Sequence, residues 1–165
     1  MTTRFSGGPN VVRALFLTTV LGGTMGLMAP LASAGECPAD KVTTDGQKPG
    51  TTASKDVTDT VIASIDLNDE APHLKDTKFR LRKLVIQPGG IVAWHSHAER
   101  PAIIYIVSGT IEEYASTCSV PIVHKSGDVA RETHTTAHWW QNKTSEPVVL
   151  LSSDILHDKM DQHQM

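Results

Sequence analysis

Residues 89–97 read GGIVAWHSH, and the two histidines that close this stretch, His95 and His97, are the most informative pair in the chain. The apolar, partly β-branched run before them favours a β-strand. Because side chains on a strand alternate between its two faces, His95 and His97 project to the same side. That spacing aims two nitrogen ligands at one point. A third histidine, His138, follows in a second strand-like run that ends at Asn142, so the sequence suggests a metal held inside a small β-barrel.

The first 34 residues have the three parts of a secretory signal peptide. Arg4 and Arg13 precede an apolar run over residues 14–31, and Ala32-Ser33-Ala34 offers an A-x-A cleavage site. A membrane anchor is the alternative, but Thr and Gly residues and Pro30 interrupt the run. We therefore expect cleavage after Ala34, secretion or export to the periplasm, and no stable membrane anchor afterwards.

The predicted mature chain of 131 residues has the length of one domain. Loss of Arg4 and Arg13 leaves 13 basic against 18 acidic side chains, so the mature chain is acidic. It has no Lys/Arg run that would neutralise phosphates, and nucleic acid is therefore not an expected partner.

Both cysteines, Cys37 and Cys118, lie in the mature chain. An oxidising compartment favours a disulfide between them, while two free buried thiols are the alternative. A bridge would tie the N-terminal segment to the domain.

The mature chain divides into three parts by composition. Residues 35–60 are polar and rich in Thr, Asp, Lys, Gly and Pro, which predicts an extended arm that does not pack. Residues 61–155 contain short strand-like runs separated by Gly-rich turns, which is typical of an antiparallel barrel or sandwich. Residues 156–165 are predicted to be a flexible tail. The predicted strands are 61–67, 78–87, 91–97, 103–107, 110–114, 122–124, 128–132, 138–142 and 148–155.

The order of these motifs resembles the cupin superfamily. The first cupin motif is matched by Gly89, five residues, His95-Ser96-His97 and the closing Gly109. The second is matched by Gly127, five residues, Thr133-His134-Thr135, and then His138 and Asn142. The resemblance implies an all-β, double-stranded β-helix (jelly-roll) barrel whose interior holds a metal on His95, His97 and His138.

Two positions depart from the family pattern. Ala102 stands where the first motif places a metal-binding glutamate, and Thr133 and Thr135 replace a proline and a glycine of the second motif. The fourth metal position would then be filled by Glu99, by His134 or by water. Glu99 and His134 are also the acid/base candidates.

Several side chains are predicted to shape a pocket around the histidines. Strand alternation puts Trp140 and Asn142 on the face of His138, and Ala102 and Ile104 on one inward face. These residues would form a compact and largely apolar pocket for a small molecule.

Two functions follow from the sequence. The first is an exported protein that binds Fe, Mn, Cu, Ni or Zn through three histidines and acts on a small molecule, as dioxygenases of this family do. The alternative is a non-catalytic module that captures or senses a small ligand with a reduced or vestigial metal site. Cupins often pair through strand exchange, so the resemblance also allows a homodimer.

Overall fold

The computed structural model describes residues 35–71 and 73–157. The predicted signal peptide, residues 1–34, and the tail from residue 158 onwards lie outside the described residues. A single 3-10 turn, Ala39–Lys41, comes first in the described chain. The further elements are β1 (Lys55–Asp66), α1 (Leu67–Glu70), β2 (Thr77–Ser96), β3 (Ala102–Ser108), β4 (Thr110–Ala115), β5 (Ile122–Lys125), β6 (Val129–Glu132), β7 (Ala137–Gln141) and β8 (Val148–His157).

The strands form a nearly closed antiparallel barrel with the double-stranded β-helix topology that the sequence predicts. The strand order is β5-β4-β7-β2-β8-β3-β6, and β1 pairs with β2 outside this path. The interior is filled by apolar side chains from both halves of the barrel, among them Ile86, Ile106, Trp140 and Val148. No helix within the described ranges is long and apolar enough to span a bilayer.

The long strand β2 corrects one sequence prediction. We expected two strands separated by a turn at Pro88-Gly89-Gly90, but a single strand runs through these residues. Its first half pairs with β8 up to Ile86, and its second half pairs with β7 from Ile91 onwards. Gly89 has a φ of 75° and Gly90 packs closely on its surroundings, so the glycines bend the strand without reversing it. The bend transfers β2 from one half of the barrel to the other and carries His95 into it.

The N-terminal arm is also different from the expectation. Strand β1 begins at Lys55 rather than at residue 61, and the segment before it is docked on the barrel. The Gly46 amide donates to the Ser116 carbonyl oxygen at 2.9 Å, and Val42 forms a bridge with Cys118. The predicted disulfide between Cys37 and Cys118 is present, with 5.7 Å between the Cα atoms. The segment is held in place by backbone hydrogen bonds and the disulfide. Its polar composition gave no reason to expect that it packs on the barrel.

At the other end, β8 continues beyond the predicted boundary. His157 pairs with Thr77 at the start of β2, so the described part of the predicted tail, residues 156 and 157, belongs to the barrel.

Candidate metal centre

The three predicted ligand histidines converge in the barrel interior. His95 lies near the end of β2 and is paired with His138 of β7 across the ladder, while His97 follows directly after β2. Their Nε2 atoms form a triangle with sides of 3.0 Å (His97 to His138) and 3.1 Å (His95 to each of the others). His97 and His138 are buried and His95 is partly buried.

The other ring nitrogen of each histidine faces a hydrogen-bond acceptor. His95 Nδ1 donates to the Ala93 carbonyl oxygen at 2.9 Å, and His97 Nδ1 donates to the Arg100 carbonyl oxygen at 2.7 Å. His138 Nδ1 donates to Glu113 Oε1 at 2.6 Å. An acceptor holds the proton on each Nδ1, so a ring in its neutral form directs its Nε2 lone pair at the other two nitrogens. Three such lone pairs at this distance repel unless a metal ion or a proton lies between them.

Burial keeps two of these rings neutral. Burial, with a smaller effect of His138, lowers the pKa of His95 to about 2. The same two causes lower the pKa of His97 to about 3. A neutral imidazole is the form that binds a metal, so these two side chains are able to act as ligands at neutral pH.

A buried glutamate lies behind His138. Glu113 of β4 accepts a hydrogen bond from His138 with one oxygen and from His124 Nε2 with the other, at 2.8 Å. Burial by itself would raise the pKa of Glu113, but the hydrogen bonds from His124 and His138 outweigh it and lower that pKa to about 2. Glu113 is therefore a carboxylate that orients His138 and increases its basicity.

A second buried glutamate, Glu132 of β6, also lies on the Nδ1 side of His138. Its Oε2 lies 3.4 Å from His138 Nδ1, and its Oε1 is buried without a hydrogen-bond partner among the described residues. Burial raises the pKa of Glu132 to about 8. The nearby His138 acts to lower this pKa, and the Glu113 carboxylate acts to raise it further. Burial lowers the pKa of His138, but Glu132 and Glu113 outweigh it, so the pKa of His138 is raised.

Sequence reasoning missed both glutamates, although strand alternation contained a signal. Glu113 shares the inward face of β4 with the buried Ile111 and Ala115, and Glu132 follows the buried Ala130 by two residues. An acidic residue on an inward face is a candidate for a functional site.

Glu132 also bears on the missing family glutamate. Ala102 of β3 lies directly opposite Glu132 of β6 in the ladder. A carboxylate is therefore present one strand away from the expected position, but it lies on the Nδ1 side of His138. His138, Glu113 and Glu132 form a second group whose candidate ligand atoms lie within 4.8 Å of one another.

The two predicted acid/base residues lie elsewhere. β2 ends at Ser96, so Glu99 lies in the loop after the strand and is exposed. His134 is also exposed, in the loop between β6 and β7. Within the described residues, neither belongs to a group with converging ligand atoms.

The predicted pocket residues separate into two sets. His95, His97, Ile104 and Trp140 line a cavity of about 20 Å³, which has room for about one water molecule. The Trp140 indole is perpendicular to the His138 ring, and its N–H lies 3.1 Å and 3.4 Å from the two ring nitrogens, which is an approach to the ring face.

Ala102 and Asn142 are buried but have other roles. The Asn142 amide donates to the carbonyl oxygens of Ile86 at 3.0 Å and Glu146 at 2.8 Å, so this side chain holds the loop between β7 and β8. Asn142 is not among the residues that line the cavity beside the histidines. Ala102 of β3 pairs with Glu132 of β6 on one side and with Asp154 of β8 on the other.

A cluster of buried charged side chains lies beside the cavity that His95, His97, Ile104 and Trp140 line. Asp154 accepts two hydrogen bonds from Arg80, at 2.9 Å and 2.7 Å, and lies 3.3 Å from both Arg82 and Arg100. Burial, reinforced by the neighbouring Arg82, lowers the pKa of Arg100 to about 10. Arg82 and Ser152 line the same cavity as His95 and His97, so the cluster gives it a polar, positively charged side. No pattern in the sequence indicated this cluster.

Comparison with known proteins agrees with this architecture. Residues 82–154 match the family model described as a cupin domain. Together with the fold, this match identifies residues 82–154 as a cupin domain and supports a relationship to the cupin superfamily.

Two solved structures resemble this chain at low sequence identity. A predicted oxalate decarboxylase from Thermotoga maritima is 20% identical with a TM-score of 0.51, covering 70% of this chain and 97% of its own. An uncharacterized conserved protein with a double-stranded β-helix domain from Klebsiella pneumoniae is 17% identical, with a TM-score of 0.48 and coverage of 74% and 88%. The similarity to the Thermotoga maritima structure shows the fold alone. No curated protein sequence matches this chain.

Proposed function

We propose that this cupin is an exported protein that binds a divalent transition metal through His95, His97 and His138 and uses it on a small molecule. The observation that carries the proposal is the set of three Nε2 lone pairs, 3.0–3.1 Å apart, with every Nδ1 committed to an acceptor. Neutral imidazoles are suitable ligands for Fe, Mn, Cu, Ni and Zn.

The three imidazole nitrogens would hold a metal from the protein side of the cavity. Three protein ligands would leave coordination positions free for water or a small molecule. Bound there, a redox-active metal would supply oxygen chemistry, while Trp140 and Ile104 shape the neighbouring space.

The alternative is a binding or sensing module without catalysis. The small cavity and the exposure of Glu99 and His134 favour it, because a catalyst needs room for its substrate and a group that transfers protons.

Export is supported by two independent features. The disulfide between Cys37 and Cys118 indicates an oxidising compartment. The signal-peptide pattern of residues 1–34 supports secretion or periplasmic location.

Metal analysis tests the proposal. We expect about one equivalent of metal in the purified protein or after reconstitution with Fe, Mn, Cu, Ni or Zn separately. His138→Ala should reduce this to below about 0.1 equivalent, because it removes a buried ligand from the centre. His134→Ala, which changes an exposed histidine four residues away, is the matched control.

Equal metal content in the two variants would contradict the three-histidine site. Oxygen consumption by the iron or manganese form with a panel of phenols and keto acids then separates the two functions. Turnover that is lost in His138→Ala supports an enzyme, and binding without turnover supports the module.

A further inference from the structure

Gly35 is the first residue after the predicted cleavage site, and it is held firmly against the barrel. Glu36 forms an ion pair with Arg131 of β6, and Cys37 is bonded to Cys118. Gly35 itself packs on His124 of β5 and on Asp128 and Val129 at the start of β6. The position of this residue is therefore fixed by two neighbours that cleavage would leave intact.

The histidine beside Gly35 has an unused hydrogen-bond acceptor. His124 is fully buried and stacks on Trp140, with ring centroids 4.6 Å apart. Its Nε2 donates to the Glu113 carboxylate, so in the neutral ring Nδ1 carries a lone pair. This Nδ1 has no hydrogen-bond partner within the described ranges. A buried acceptor without a donor is costly and calls for an explanation.

The geometry at Gly35 identifies a donor. A β-carbon built on Gly35 would lie 3.0 Å from His124 Nδ1 and 2.9 Å from the Val129 carbonyl oxygen. These separations are too short for a carbon atom, but they are ordinary hydrogen-bond distances for a nitrogen. A nitrogen at this position would satisfy both acceptors.

Cleavage provides such a nitrogen. The Cα–N and Cα–C bonds have similar lengths, so a rotation of about 120° about the Cα–C bond of Gly35 moves a free amino group to the β-carbon position. An ammonium has three donors, whereas a peptide nitrogen has one and carries a bulky acyl group. Only the cleaved chain can therefore donate to His124 and Val129 together.

We propose that signal-peptide removal after Ala34 creates a binding site for the chain's own amino terminus, in which the Gly35 ammonium donates to His124 Nδ1 and the Val129 carbonyl oxygen. This inference rests on the export part of the proposed function. The docked terminus completes a hydrogen-bond chain from Gly35 through His124 and Glu113 to His138. The amino group thus acts as a positioning group for a metal ligand.

Two proteins that differ by one residue at the N-terminus give a direct test. Metal-free protein that starts at Gly35 should melt about 4–8 °C above protein that starts at Ala34, because only the former places its charged amino group on two buried acceptors. Both chains contain the same barrel, disulfide and ion pair, so the comparison isolates the amino group. Equal melting temperatures would overturn the proposal.

Two further variants assign the effect to His124. His124→Phe should abolish the difference between the two chain lengths, and a difference that persists would overturn the proposed contact. If His124→Phe does not fold, acetylation of the Gly35 amine in the otherwise unchanged chain replaces it. The acetylated protein should melt like the chain that starts at Ala34, and retention of the higher melting temperature would overturn the proposal.

The role in positioning His138 has its own readout. Zinc should dissociate several-fold more slowly from the chain that starts at Gly35, and equal rates would overturn that role. N-terminal sequencing of the exported protein should begin at Gly35, and any other start would overturn maturation at this site. Because the melting experiment uses metal-free protein, its result does not depend on whether the histidines bind metal.

Discussion

The hydrogen-bond partners of the three histidines define the candidate metal centre at the level of single residues. Two partners are backbone carbonyl oxygens close in sequence, at Ala93 and Arg100. The third is the Glu113 carboxylate, which comes from another strand and also binds His124. Glu113 is therefore the residue through which distant parts of the chain act on the centre.

The first residue-scale prediction concerns Glu113 and its neighbour. Glu113→Gln should weaken metal binding by about 10- to 100-fold, because an amide presents one donor group to two histidine N–H groups and disturbs the tautomer of His138. Glu112→Gln, at a half-buried position on the outer face of the same strand, should leave the affinity unchanged within about twofold. A competition titration with a metal-chelating dye measures both constants. The same affinity in the two variants would show that Glu113 does not support the centre.

At the scale of elements, the bend in β2 positions the first two ligands. The strand exchanges β8 for β7 as its partner between Ile86 and Ile91, and His95 reaches His138 only after that exchange. Gly90 allows the bend because a β-carbon there would lie 2.8 Å from both the Gln87 carbonyl oxygen and the Ile86 side chain. Gly89 has a positive φ but faces open space.

This difference between the glycines gives an element-scale prediction. Gly90→Ala should lower the free energy of unfolding by about 1–3 kcal/mol, because the new methyl group meets backbone that cannot move away. Gly89→Asn should cost less than about 1 kcal/mol, since asparagine tolerates a positive φ and the site is open. Urea denaturation of the metal-free proteins measures both. A larger loss for Gly89→Asn would contradict this account of the bend.

Most strands were predictable because apolar and polar residues alternate along them with the two-residue period of a strand. The predicted strands from residue 103 onwards agree with β3 to β8 within a few residues. The turn predicted at Pro88-Gly89-Gly90 was wrong because the same residue types serve turns and strand bends. The docked arm was missed because its order comes from backbone hydrogen bonds with residues 115–119, which composition does not reveal.

At the scale of the whole molecule, the disulfide joins the arm to the barrel over 81 residues of sequence. Cys37→Ser combined with Cys118→Ser should lower the free energy of unfolding by about 4 kcal/mol, since the bridge restricts a long loop in the unfolded chain. Guanidinium denaturation of this double variant and of the oxidised parent measures the difference. A loss below about 1 kcal/mol would mean that the arm holds its place without the bridge.

The outer surface of the barrel carries apolar side chains that a second copy of the chain could cover. Phe79, Ile103, Tyr105 and Val107 are exposed apolar side chains on β2 and β3. Phe79 and Ile103 line one surface depression together, and exposed apolar patches can mark interaction sites. The homodimer stays a prediction, which this surface favours.

The sequence by itself determined the barrel, the three histidines and the disulfide. Each depends on a local signal, namely strand alternation, ligand spacing or the even number of cysteines. The tertiary structure decided which other groups meet them. It placed Glu113 and Glu132 behind His138, gathered three arginines on Asp154, and set Gly35 against His124. These contacts join strands far apart in the chain, and their partners are chosen by ladder register and burial, which have no signature in any short stretch of sequence.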